Sequence, residues 1–409
     1  MKKTNLPPLW TKNYIFATLA NLFNAFGFFG LLPILPIFLV ERYGITQSQV
    51  GIVLAAYAFS MMIARPVSAY FSDLYNRKTI LLILLLVYTL LFLSYPFLGA
   101  VLAFFVIRVF HGFFYGGAAV CANALVIDII HEKRRGEGLG VFGITNSVAM
   151  AISPMFGLFL LETTNNFNWI FLATFIFCLI GFLFIFSVRV PKEKKVTAYK
   201  NPENKKLTLD KLFQPKGIFA GIVVILMAYP YGLITSFTAI YGKELGLLKG
   251  AGFFFAFMSA GLVFARIISG KLVDKGKLTS VIKFSSFAAA ISFGLFAALG
   301  FLEIQNLIVM QILFYLVGLM LGLCYGMLFP AFNMLFVNLA EDNRRAAANS
   351  TFLTSWDIGL GSGLLFGGII MEKFGGIPSA YLVGAVLVFL AAIYFTTFVA
   401  GHFNRNKLR

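Results

Sequence analysis

The chain has 409 residues, of which 60% are hydrophobic and only 12% charged, whereas about a quarter of an ordinary soluble domain is charged. Apolar runs long enough to cross a bilayer, about 20 residues each, recur from end to end and exclude a single globular core. The net charge of +17 does not mark a nucleic-acid binder, because the basic residues fall in separate short loops and tails and not along one stripe.

In lipid only helices and closed barrels satisfy their own backbone. These runs lack the in-out alternation of barrel strands, so the sequence predicts an all-α membrane protein of about twelve transmembrane helices. Span 1 covers Tyr14 to Val40, with Asn21 and Asn24 about a turn apart and Pro33 and Pro36 near its outer end. Span 2 runs from Ser48 to Tyr70, and the hairpin Asp73 to Lys78 leads into span 3, Thr79 to Phe97. Span 4, Leu102 to Ile130, is the most polar; after the loop His131 to Glu137, span 5 reaches Leu161, and span 6 runs from Trp169 to Val188. Residues 189–215 form a linker rich in Lys, Asn and Pro, in which Leu207 to Phe213 reads either as a surface-lying amphipathic helix or as a solvated loop. Spans 7 to 12 follow at Gly217–Tyr241, Gly252–Val273, Thr279–Phe301, Asn306–Leu339, Ala346–Met371 and Ala380–Ala400. The expected organisation is two pseudo-symmetric six-helix bundles, residues 1–188 and 216–409, joined by that linker.

Lys2, Lys3, Lys12, Arg77, Lys78, Lys133 to Arg135, the run Arg189 to Lys216, Lys275, Lys277, Arg344, Arg345 and Arg405 to Arg409 occupy alternate loops. The positive-inside rule then puts both termini and the linker in the cytoplasm. Compact loops suit a multi-pass protein of a bacterial cell membrane. The first apolar run exceeds a signal-peptide core and lacks a cleavage pattern, so it is read as a retained helix. Cys121, Cys178 and Cys324 lie within apolar runs without ligand-spaced neighbours and read as packing residues.

Ala64-Arg65, Ser68-Ala69, Asp73 and Arg77-Lys78 return in the second half as Ala265-Arg266, Ser269-Gly270, Asp274, Lys275 and Lys277. The first copy reads as a charged hairpin whose charges lie at or just beyond the ends of apolar runs. An offset of 201 relates Arg65 to Arg266, and an offset of 210 carries Gly112 to Gly322, Tyr115 to Tyr325, Asn123 to Asn333 and Gly157 to Gly367. Parallel six-helix halves of this kind are a transporter architecture.

The hairpin resembles the Gly-x-x-x-Asp-Arg-x-Gly-Arg-Lys motif of the major facilitator superfamily: Asp73, Arg77 and Lys78 match, while Ala69 and Asn76 stand at the two glycine positions. The second copy keeps Gly270, Asp274, Lys275 and Gly276-Lys277 and is one residue shorter. Span 4 resembles the family's Arg-x-x-Gln-Gly as Arg108, His111 and Gly112. Span 5 resembles part of its antiporter motif through Pro154 and Gly157, with Ser153 at a glycine position. The resemblance is to the drug and solute efflux-like branch. It implies a cavity lined by spans 1, 4, 7 and 10, with Asn21, Asn24, Tyr115, Asn123, Tyr229, Tyr231, Tyr325 and Asn333 as candidate substrate contacts. The repeat-related pairs, Tyr115 with Tyr325 and Asn123 with Asn333, are expected to face each other across the pseudo-axis. The resemblance also makes spans 5 and 11 gating helices, and Gly359, Gly361, Gly363 and Gly367-Gly368 fit close packing there.

Asp73 and Arg77 are four apart, which on a helical turn brings them together, and Asp128 ends span 4 at a similar depth. The three are read as an interface latch, with Lys78 and Asp274 as further gating residues; Asn338 replaces Asp128 in the second half. An alternative is that these charges only set topology. Arg108 lies inside span 4, where charge needs a cavity or a partner. His111, one turn on, can exchange a proton near neutrality or serve as a neutral hydrogen-bond donor. Asp357 lies about 16 Å into span 11 at ~1.5 Å per residue. An intramembrane carboxylate is a functional candidate, either as a proton-coupling group beside an arginine such as Arg108 or as a permanent structural pair.

The leading expectation is a secondary transporter working by alternating access, with proton-coupled export of a small amphipathic or drug-like solute. The alternative is proton-linked uptake of a sugar or organic anion, with Arg108 as ligand; a transporter-like sensor is a third reading. The sequence has no Walker-type loop, no metal-spaced His cluster and no nucleophile-base pair, so an enzyme is not expected. No cofactor is expected beyond a proton gradient as the energy source. The expected partners are a small-molecule substrate, protons and the lipid bilayer, with no nucleic acid and a monomeric state.

Overall fold

A computed structural model describes residues 7–131, 134–190, 214–247, 250–302, 304–341 and 344–408, without the side chains of residues 73, 136, 267, 271, 274, 345 and 346. The linker helix expected at Leu207 to Phe213 and the side chains of Asp73 and Asp274 therefore lie outside the described residues. Among those described, twelve helices are long and apolar enough to cross a membrane.

The first half consists of α1 (Lys12–Leu31), a short α2 (Leu35–Tyr43), α3 (Gln47–Leu74), α4 (Arg77–Leu91), α5 (Val101–Ile129), α6 (Arg135–Thr164) and α7 (Phe167–Ser187). The second half holds α8 (Ile218–Glu244), α9 (Phe253–Asp274), α10 (Leu278–Phe301), α11 (Leu307–Asn338), α12 (Arg345–Lys373), α13 (Gly376–Tyr394) and α14 (Ala400–Asn406). Local chemistry sets the starts. Thr11 caps α1 by accepting from the Tyr14 amide, Thr46 and Gln49 form a capping box on α3, and Asn76 accepts from the Lys78 and Thr79 amides at the head of α4.

Two sequence expectations are corrected here. Span 1 is not one helix: Pro33 lacks an amide hydrogen and the chain turns between Leu31 and Leu35, with Pro36 in the first turn of α2. Asp73 and Arg77 do not share a helical turn, because α3 ends at Leu74, Tyr75 is extended and Arg77 opens α4.

The repeat is visible in the packing. A Cβ on Gly112 of α5 would lie 2.3 Å from the Tyr57 carbonyl oxygen, and one on Gly322 of α11 would lie 1.9 Å from that of Met258. Tyr57 and Met258 are themselves 201 apart, so the same close approach is built twice.

The halves meet along two seams. At the first, α3 runs against α12: a Cβ on Gly51 would sit 2.4 Å from the Leu364 oxygen, and one on Gly368 would sit 2.4 Å from the Gln47 oxygen. Backbones without side chains between them gain dispersion contacts where the hydrophobic effect offers little. At the same end Glu372 accepts from the Ser48 amide at 3.0 Å, and Lys243 lies 3.6 Å from Glu41. At the second seam α6 meets α9 where Gly252 abuts Met155, whose Cα would be 2.9 Å from an added Cβ. The two helices then border a cleft of about 510 Å³ lined by Ser147, Val148, Ala151, Ser259, Val263 and Phe264 among others. Both seams are tight at the end opposite the α3–α4 hairpin.

Candidate functional site

The strongest feature lies at mid-depth of the first seam. Asp357 is 1% exposed and Arg65 is 17% exposed. Arg65 Nε donates to Asp357 Oδ2 at 2.6 Å and its Nη2 to Oδ1 at 3.2 Å, the bidentate geometry that a guanidinium and a carboxylate favour. An arginine at the bilayer centre costs about 2.5–3.5 kcal/mol on the insertion scale, and removing one partner of a buried pair strands the other charge. The pair therefore holds α3 of one half to α12 of the other for as long as both groups stay charged.

This corrects the expected partner. Arg108 is buried beneath the Tyr57 ring, with its guanidinium carbon 4.0 Å from the centroid. Tyr57 and Arg65 are eight residues apart on α3, about 12 Å along the axis, so Arg108 belongs to a different level of the bundle. Arg65 was read as lying near the end of an apolar run, but it sits inside α3, nine residues before Leu74. An arginine within an apolar run, present in both copies of the repeat, was the signal that could have found it. His111 is buried in the first half, its Nδ1 2.5 Å from the Tyr95 hydroxyl and its ring 4.2 Å from Phe92 and 4.6 Å from Tyr88. His111 and Arg108 thus form an aromatic-walled polar cluster apart from Asp357.

Beside Asp357, Trp356 anchors an aromatic group that the sequence did not single out. Its ring is 5.1 Å from Tyr231, 6.1 Å from Tyr325 and 4.9 Å from Phe329. The Tyr231 hydroxyl reaches across the halves to Met150 Sδ at 3.3 Å. Arg266 of α9 lies within electrostatic reach of the same tyrosine.

The other candidate contacts are divided. Asn21 donates to Thr145 Oγ1 at 2.7 Å and to Asn146 at 3.3 Å, joining α1 to α6. Asn333 donates to Asn349 at 2.7 Å, joining α11 to α12. Asn24 is buried, donates to the Ala20 carbonyl and packs on Gly181 of α7. Tyr229 is buried, and its carbonyl packs on Gly363. Tyr115 and Tyr325 do not face each other: Tyr115 stacks on Phe28 at 4.6 Å, while Tyr325 donates to the Met227 carbonyl at 2.6 Å. Asn123 is exposed and donates to Ala119, one turn back, so it and Asn333 each use their hydrogen bonds within their own half.

The contacts described for Arg77 and Lys78 lie within the first half. Arg77 Nη1 is 2.8 Å from Asp128 Oδ1, and this joins α4 to α5. Lys78 Nζ donates at 2.7 Å to the Phe186 carbonyl near the end of α7, where the helix leaves acceptors unsatisfied. The expected interface latch is corrected for Arg77 and Asp128, whose ion pair braces the first half; among the described residues the ion pairs between the halves are Arg65–Asp357 and Lys243–Glu41.

A sequence model of the Major Facilitator Superfamily matches residues 17–320 and 290–407. The staphylopine export protein of Staphylococcus aureus is 22% identical over 363 residues, covering 86% of this chain and 87% of that protein. A class H tetracycline resistance protein from Pasteurella multocida is 25% identical over 375 residues, covering 87% of each. The crystal structure of a D-xylose–proton symporter superposes with a TM-score of 0.77 at 15% identity over 95% of this chain and 97% of that one.

Proposed function

The chain belongs to the Major Facilitator Superfamily, and from that premise we propose that it is a proton-coupled exporter of a small amphipathic organic solute, working by alternating access with the hairpin on the cytoplasmic side of a cell membrane. Membership makes it a multi-pass membrane transporter and not an enzyme. The direction and the coupling are our reading. Export is favoured by relatives whose names describe staphylopine export and tetracycline resistance, and the positive-inside pattern of the loops supports the orientation.

The observation that carries coupling is the Arg65–Asp357 pair. While Asp357 is ionised, the pair ties α3 to α12 at mid-depth. Protonation leaves a neutral carboxyl whose attraction for the guanidinium no longer offsets the desolvation of Arg65. The seam then loosens, and rocking of one half against the other becomes accessible. A proton taken up from the outer side and released to the cytoplasm re-forms the tie, so proton entry is exchanged for solute exit. Glu372 with Ser48 and Lys243 with Glu41 close the end opposite the hairpin, which supports reading that end as a sealed outer face.

Proteoliposomes with an imposed pH gradient and a panel of drugs and metabolites test this. Asp357→Asn is expected to abolish gradient-driven flux while solute counterflow continues. Gradient-driven flux at the wild-type rate in that variant, or a pH gradient that drives uptake toward the linker face, would overturn the reading.

A further inference from the structure

The repeat relates the two seams residue by residue, and it exposes an imbalance in charge. Arg65 and Arg266 are 201 apart and occupy the same place in their copies of the motif, on α3 and α9. The residue that corresponds to Asp357 in the first half, 210 positions earlier, is Ser147 on α6. The second seam therefore keeps the guanidinium and lacks the carboxylate. Among the described residues no carboxylate lies within ion-pair distance of the partly buried Arg266.

The surroundings are shaped for an occupant. Ser259 and Val263 line the cleft of about 510 Å³, and Arg266 follows Val263 at a spacing of three on the same face of α9. Ser147, 4% exposed, lines its α6 wall. Ser259 is 2% exposed, and its hydroxyl has no hydrogen-bond partner. Buried hydroxyls are ordinarily bonded, so an unpartnered one beside a cleft points to a ligand. Phe264 supplies aromatic surface in the cleft, and Tyr231, against Trp356, reaches Met150 on the same α6. A guanidinium, two serine hydroxyls and aromatic and aliphatic walls match an organic anion with an apolar body.

We propose that Arg266, with Ser147 and Ser259, binds the anionic group of the transported solute, taking in the second seam the place that Asp357 holds in the first. The inference rests on the transport reading for its occupant, but binding tests it independently of direction or coupling. The probes are 1-naphthoate and 1-naphthalenesulfonate against the neutral, isosteric 1-naphthamide. Binding is read by quenching of Trp356 in a Trp10→Phe, Trp169→Phe background in neutral detergent. The acids are expected to bind roughly tenfold or more tightly than the amide, as one charge-assisted contact supplies. Arg266→Gln should erase that preference and Arg266→Lys should retain part of it. Ser147→Asp supplies the missing carboxylate and should erase it with the fold intact, which covers the case in which Arg266→Gln does not fold. Acids and amide binding alike, no acid binding, or a preference that survives Ser147→Asp would overturn the proposal. Competition by dihexanoyl phosphatidylglycerol but not dihexanoyl phosphatidylcholine, at concentrations where the acids show no Arg266-dependent preference, would assign the site to a lipid headgroup and overturn it too. If gradient-driven export fails while the Arg266-dependent preference stands, the export reading falls and the anion site remains.

Discussion

The two seams between the halves descend from one repeated pattern and are closed in different ways. At α3/α12 backbone approaches backbone at Gly51 and Gly368, and the Arg65–Asp357 pair spans the halves at mid-depth. At α6/α9 the helices border a cleft lined by Ser147 and Ser259, and the position that corresponds to Asp357 is Ser147. A duplicated fold need not duplicate its chemistry. Between the copies aspartate is replaced by serine, and among the described residues no carboxylate pairs with the second arginine. The first seam suits coupling and closure, and the second suits a ligand.

Breaking the first seam should have the largest effect. Arg65→Ala leaves Asp357 ionised and alone in a buried site, and a loss of about 3–5 kcal/mol is expected for such a stranded charge. Thermal unfolding in detergent reads it, and the double variant Arg65→Gln, Asp357→Asn should recover much of the stability without gradient-driven transport. A recovered stability together with full coupling would detach the pair from function. Gly51→Val is expected next, at about 1–3 kcal/mol, because the new side chain meets the Leu364 backbone and cannot be accommodated by a rotamer change. Cross-linking between α3 and α12 at the Gly51–Gly368 end should fall in the same variant.

Charges within one half should matter less. Arg77 and Asp128 are 29% and 25% exposed at their side chains, and Asp128→Asn is expected to lower stability by no more than ~1 kcal/mol. A loss as large as that of Arg65→Ala would return the hairpin to the position of interface latch. The smallest change is expected at Gly270 of α9, where an added Cβ meets nothing within 4 Å. Gly270→Ala should be neutral or stabilise by up to ~1 kcal/mol through helix propensity. A marked destabilisation would show that the second seam is as tightly packed there as the first.

Much of the candidate site was legible. The midplane depth of Asp357 follows from counting residues along an apolar run, and its need for a partner follows from the cost of charge in lipid. The partner itself was not legible. Arg108 and Arg65 were both arginines of the first half, and nothing local to Asp357 distinguishes them. Asp357 and Arg65 are 292 residues apart in sequence, and only the packing of α12 on α3 selects between them. Trp356 was passed over because a tryptophan in an apolar run carries no local mark of function. Tyr115 and Tyr325 were matched by the repeat, but pseudo-symmetry equates their positions without making them neighbours.

What the sequence by itself determined were the properties that the bilayer imposes segment by segment: helical spans, their approximate ends, and the duplication that recurs at fixed offsets. A backbone in lipid must satisfy its hydrogen bonds locally, so that information lies within each run. The tertiary structure alone decided which helices of opposite halves meet, and hence that Arg65 is paired while no described carboxylate reaches Arg266. Ion pairing depends on a few ångströms between distant segments, and composition and periodicity do not encode that distance.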